Sequence, residues 1–165
     1  MISLVSCSDP LAFEIGQSRE SVEGIITNKI KFIEREGSTT ASGQSVVESF
    51  KDKDHITLYD FKYKGNYYYI LRTYYRYNKV RKMEISVLKE FYPDFIDNII
   101  SKYGKPKNAF LPYGYIFPQR KEAKIWLKEK FAIVYFTKEE NDERIDILVL
   151  SGKDKEELAD YIEDF

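Results

Sequence analysis

The apolar positions of the chain follow two rhythms, and the switches between them lay out the fold. After Ser18, a residue suited to cap a helix by accepting from an open backbone N–H, Val22, Ile25 and Ile26 recur at helical spacing and predict a short helix over 19–28. Gly24 weakens it by about 1 kcal/mol relative to alanine. Residues 29–35 read as strand-like, and the Gly/Ser/Thr run at 37–43 reads as a loop. From Ile56 the period becomes two: Ile56, Leu58, Asp60 and Lys62 alternate with Thr57, Tyr59, Phe61 and Tyr63. Lys64-Gly65-Asn66 turns the chain into a strand over 67–77, and a reversal near Asn78-Lys79 returns it through 80–87, where Met83, Ile85 and Val87 alternate. These three segments predict an antiparallel meander.

The second half repeats the order. Phe95, Ile96, Ile99, Ile100 and Tyr103 predict a helix over 90–103, ended by Gly104 with Pro106 just beyond. Strands are expected over 123–127, 131–137 and 145–150, with Glu139 to Glu143 as a solvated turn. Asp154 with Glu157 forms a capping-box pattern before a closing helix whose apolar stripe is Leu158, Tyr161, Ile162 and Phe165. Connections this short disfavour a parallel, doubly wound fold. The fold class is therefore α+β: a two-layer arrangement, antiparallel sheet with helices on one face, readable as two tandem helix–meander units. Residues 1–12 read as a linker or signal remnant; 13–165 form a single domain with candidate halves 13–88 and 89–165.

Composition narrows the function classes. The 14 Tyr and 11 Phe against one Trp favour sheet. A net charge of −1 removes any global attraction to nucleic acid or anionic membrane. No stretch approaches the roughly 20 apolar residues of a membrane-spanning helix. A single cysteine and a single histidine argue against disulfides and against a Cys/His zinc site; no cofactor or metal is expected. That cysteine, Cys7, ends Leu4-Val5-Ser6-Cys7, which has the pattern of a bacterial lipobox. Cys7 is thus a candidate lipidation site that would place the protein in the cell envelope, lipid-anchored; without lipidation the expected location is cytoplasmic.

The segment Phe13-x-Ile15-Gly16-x-Ser18-x-x-x-Val22 resembles the helix start of small bacterial outer-membrane lipoproteins of the barrel-assembly type. Gly104-Lys105-Pro106 after the second helix is similar to the Gly-x-Pro of the related β-lactamase-inhibitor-protein superfamily, whose fold repeats a helix–sheet unit. The first half lacks that Gly-x-Pro, and the cysteines of a stabilising disulfide are missing. The resemblance implies an extracytoplasmic, inhibitor-like, protein-binding module with no catalytic residues to carry over.

Between Lys62 and Lys82 lie seven cations and no acid, interleaved with tyrosines. Simple alternation puts Tyr68, Ile70, Arg72, Tyr74 and Arg76 on one face, so candidate partner-binding residues are Tyr68, Tyr69, Arg72, Tyr74, Tyr75 and Arg76. Rings beside cations suit an acidic protein surface or single-stranded nucleic acid; a buried ring face opposite a solvated cationic one is the bland alternative. Tyr113 and Tyr115, in the aromatic stretch 110–118, are a second candidate for partner contact, against a loop folded on the core. From Lys138 onward eleven acids face four bases, an asymmetry able to steer encounters. His55 beside Asp54 matches no catalytic motif, so no catalytic residue is assigned. The expected function is a non-catalytic binding module of the bacterial envelope contacting a protein partner. A cytosolic inhibitor or immunity-type protein and a single-stranded nucleic-acid binder are the alternatives.

Overall fold

The computed structural model describes residues 9–35, 54–111, 121–136 and 143–162. Helix α1 (Arg19–Arg35) opens the chain, followed by strands β1 (His55–Tyr63), β2 (Asn66–Arg76) and β3 (Lys79–Leu88). Helix α2 (Tyr92–Tyr103) leads to β4 (Lys107–Leu111), β5 (Lys121–Leu127), β6 (Ala132–Phe136) and β7 (Arg144–Leu150). A short helix α3 (Gly152–Leu158) runs into a 3-10 turn over Ala159–Tyr161. The strands form one seven-stranded sheet in the order β1-β2-β3-β7-β6-β5-β4, antiparallel at every pairing. The architecture is α+β, as the two rhythms predict. The two meanders fuse through their last strands, β3 against β7, so neither half has a sheet of its own.

The helix starts follow local chemistry. Ser18 caps α1: the N–H of Ser21 donates to its Oγ at 3.2 Å. Gly104 takes φ 86 and its N–H donates to the Ile100 carbonyl, closing α2 where a side chain would be strained. At α3 the expected capping box is absent. Ser151 occupies the cap position without a side-chain cap bond, and Asp154 lies inside the first turn.

Alternation along the strands sends side chains into two cores. Leu58, Leu71, Met83, Ile85, Ile133, Ile147 and Val149 line one face, covered by Val22 and Ile26 of α1 and by Phe95 and Ile99 of α2. Fully burying such an aliphatic chain stabilises by about 1.5–3 kcal/mol, which is what holds both helices on the sheet. On the other face Ala109, Ile125, Val134, Leu148 and Leu150 pack against Leu158 and Ile162, so α3 and the turn after it cover β4 to β7. The pair α1 and α2 sits on one face as expected; α3 goes to the other.

Other departures have physical causes. Helix α1 continues through 29–35, the segment read as strand-like, because Ile30 and Ile33 extend the spacing of Val22 and Ile26. Strand β4, which the sequence did not signal, takes Phe110 out of the expected loop and forms the sheet edge beside β5. Residues 9–12 are no linker: Pro10, Leu11 and Ala12 are buried, and the amide of Asn66 donates to the Asp9 carbonyl at 2.9 Å. Cys7, the loop at 37–43, Tyr113 and Tyr115, residues 139–142 and Phe165 lie outside the described residues.

Candidate interaction surface

Because α3 reaches only the β4–β7 half, no helix among the described residues lies over the β1–β3 half of that face. Cross-strand register arranges its side chains in rows. One row runs Tyr59, Ile70, Ser86, Asp146 across β1, β2, β3 and β7; the next runs Thr57, Arg72, Glu84, Leu148; a third holds His55, Tyr74 and Lys82. Between the first two rows lies a shallow groove of about 250 Å³ lined by Ile70, Arg72, Glu84, Ser86, Arg144, Asp146 and Leu148.

Charges on this surface are organised in pairs. Arg72 donates through Nε to the Thr57 hydroxyl at 3.0 Å and through a guanidinium nitrogen to Glu84 at 3.2 Å. Glu84 also meets Lys82 at 3.2 Å, and the Ser86 hydroxyl donates to Asp146 at 2.6 Å. Partial burial pulls the Arg72 guanidinium down, but a hydrogen bond to Tyr74 and the charge of Glu84 outweigh this and hold it above its ordinary value. The ring of Tyr74 carries Lys82 at 4.9 Å and Arg81 at 5.6 Å from its centroid. Tyr59, 46% exposed, is a large ring presented at the β1 edge.

The structure separates the residues that simple alternation grouped. Tyr68 is fully buried on the helix-covered face, where its hydroxyl donates to the Pro10 carbonyl at 2.8 Å and its ring packs edge-on to Phe95. Tyr75 is buried on the same face beneath Arg19, whose guanidinium lies 5.0 Å from the ring centroid. Burial raises both phenols well above the ordinary tyrosine value. Neither ring is open to solvent. Tyr75 follows plain alternation with Leu71 and Thr73; for Tyr68 the cause is a slip in alternation: Asp60 takes φ 52, and Leu58 and Phe61 both reach the core. Opposite it in β2, Tyr68 and Leu71 do the same, leaving Tyr69 and Ile70 half-buried between them. Arg72 and Tyr74 share the uncovered face, while Arg76 is exposed at the hairpin end. Tyr67 is held by a hydrogen bond from its hydroxyl to Asp60 and touches Phe91; the bond pushes its pKa up to about 12.

A second hollow of about 410 Å³ opens between residues 9–15, the end of α2 and the β5–β6 turn. Leu11, Phe13, Ile15 and Phe131 floor it, and Asp9, Glu14, Lys102, Lys128, Glu129 and Lys130 ring it. Two of its lysines have structural partners: Lys102 pairs with Asp9 at 2.8 Å and Lys128 donates to the Tyr103 carbonyl at 2.9 Å. With Trp126 Nε1 donating to the Gly104 carbonyl at 2.7 Å, these contacts close the C-terminus of α2.

Among the described residues no group of three or more His, Cys, Asp or Glu is placed to hold a metal ion. Among them, too, no helix is long and apolar enough to cross a membrane. His55 lies against Tyr74, ring centroids 5.3 Å apart. Comparison with protein-family models, curated proteins and solved structures gave no match.

Proposed function

We propose that this protein is a non-catalytic binding module whose partner is another protein, docked on the uncovered half of the sheet. The observation that carries the reading is the asymmetry of coverage among the described residues: α1 and α2 cover one face, and α3 covers the other over β4 to β7. What remains bare mixes a ring at Tyr59, the apolar Ile70 and alternating charges at Arg72, Glu84, Arg144 and Asp146. Apolar centres bordered by paired charges are what protein interfaces use for complementarity and register.

The nucleic-acid reading is weaker. A single-strand platform needs a run of open rings beside unopposed cations. Here Tyr68 and Tyr75 point into the core, and Glu84 and Asp146 stand among the cations of the face.

The test is a paired replacement, Tyr59→Ser with Ile70→Ser. With Tyr59 46% exposed and Ile70 half-buried, the pair is expected to cost no more than about 2 kcal/mol, with loss of partner association. A fall of several kcal/mol would reassign the face to the protein's own core.

A further inference from the structure

We infer that the tip of the β2–β3 hairpin is a docking point for an acidic protein segment, an inference that rests on the binding-module reading and names the chemistry of its partner. The two-residue turn Tyr77-Asn78 joins Arg76 to Lys79, and both turn residues have positive φ, 52 for Tyr77 and 58 for Asn78. A two-residue hairpin turn of this hand favours Asn or Gly; an asparagine accepts it, whereas a bulky ring does so at a cost. Burial does not compensate, because Tyr77 is 84% exposed. A ring held in an unfavourable backbone conformation and offered almost entirely to solvent is a presentation device, not a packing one.

The charges around it are of one sign. Arg76, Lys79 and Arg81 are exposed, and none of them makes an ion pair among the described residues. Arg76 lies 5.3 Å from the Tyr77 ring centroid and Arg81 is over Tyr74, so the cations sit beside rings rather than beside acids. This contrasts with Arg72 and Lys82 farther down the same two strands, both engaged by Glu84.

The tip is also rigid. The N–H of Arg19 donates to the Asn78 carbonyl at 2.8 Å, the N–H of Val80 donates to the Gln17 carbonyl at 2.9 Å, and the Ser151 hydroxyl donates to the Arg81 carbonyl at 2.5 Å. Pinned from the start of α1 and the start of α3, the hairpin loses little entropy on binding. One open ring flanked by three free cations fits a peptide that offers carboxylates around an apolar residue. It does not fit successive stacked bases, which need successive open rings.

The probe is a fluorescein-labelled twelve-residue peptide of glutamates with two central leucines, followed by fluorescence anisotropy on the intact protein. Affinity at low salt is expected to fall at least about tenfold in Tyr77→Ala and in Arg76→Glu/Arg81→Glu. The control Lys105→Glu/Lys107→Glu makes the same change in net charge at β4, away from the tip, and should bind as the unaltered protein does. Melting curves of all variants keep unfolding apart from loss of binding. Failure of the peptide to bind, or equal loss in the control, overturns the acidic-segment inference. So does tighter binding of a twelve-nucleotide single strand, or salt-sensitive self-association in sedimentation that the tip variants abolish, which would make a second copy the occupant. In each case loss of partner association in Tyr59→Ser/Ile70→Ser would leave the binding-module reading standing; no loss there, with the tip variants effective, would overturn the face and keep the tip.

Discussion

Replacing Tyr68 by phenylalanine separates a core tyrosine from a contact one. The ring stays against Phe61 and Phe95, with centroids 6.3 and 6.0 Å away, so the packing of the β1–β2 hairpin on α2 is preserved. What disappears is the 2.8 Å bond to the Pro10 carbonyl. Pro10 is itself buried, so its oxygen is left without that donor and out of reach of water. Losing one partner of a buried bond costs about 1–3 kcal/mol. The expected destabilisation is about 1–2 kcal/mol, or a melting-point drop of about 3–6 °C for a domain of this size. Tyr68→Ala, which also empties the ring site, is expected to cost about 3–5 kcal/mol. Urea unfolding followed by tryptophan fluorescence gives both values, with slopes unchanged. A Tyr68→Phe variant as stable as the parent would place the hydroxyl in solvent and refute the alternation slip at Asp60, together with the burial of residues 10–12.

Other outcomes are equally specific. The hydrogen bond to Asp60 raises the Tyr67 phenol to about 12, above its unfolded value near 10.0, so the stability it contributes is complete below about pH 10 and lost as pH rises through about 12. Asp60→Asn, a residue tolerant of the positive φ there, should bring that titration back toward 10 in an absorbance titration; an unchanged titration contradicts the assigned bond. Gly104→Ala is expected to cost about 1–2 kcal/mol through its φ of 86 alone, since a Cβ would meet nothing within 4 Å; a neutral result in thermal melts contradicts that conformation. Trp126→Phe removes the bond to the Gly104 carbonyl and should speed amide exchange in the last turn of α2; unaltered exchange there would dismiss it as a clamp. Cys7→Ser should abolish incorporation of a clickable fatty acid by cells making the chain with its native upstream sequence. Absence of label in the parent favours the cytosolic inhibitor reading.

The sheet and most helix positions were legible because their side chains obey simple periods. Met83, Ile85 and Val87 alternate without interruption, and their burial follows. Ser18 and Gly104 announce helix ends by chemistry that acts within a few residues. The facing of the tyrosines in β2 is not legible where the period fails. One residue at positive φ, Asp60, shifts alternation in two strands at once, and nothing in its identity marks it beyond aspartate's tolerance of that region. The packing of Leu11 and Phe13 and the pairing of β4 with β5 depend on partners far along the chain, so a local pattern carries no trace of them. The strain at Tyr77 is of the same kind. The sequence places a reversal near Asn78, but only the backbone shows which residues hold the turn and how far the ring stands out.

Partners are proposed to meet the uncovered half of the sheet and not the helical layer. The direct measurement is site-specific photocrosslinking in the producing cell, with a benzophenone side chain placed in turn at Tyr59, at Tyr77 and at Glu20 on the exposed surface of α1. The same discrete protein adduct from Tyr59 and Tyr77, with none from Glu20, is the predicted result. An adduct from Glu20 alone, or none that distinguishes the three positions, would contradict the assignment of this face.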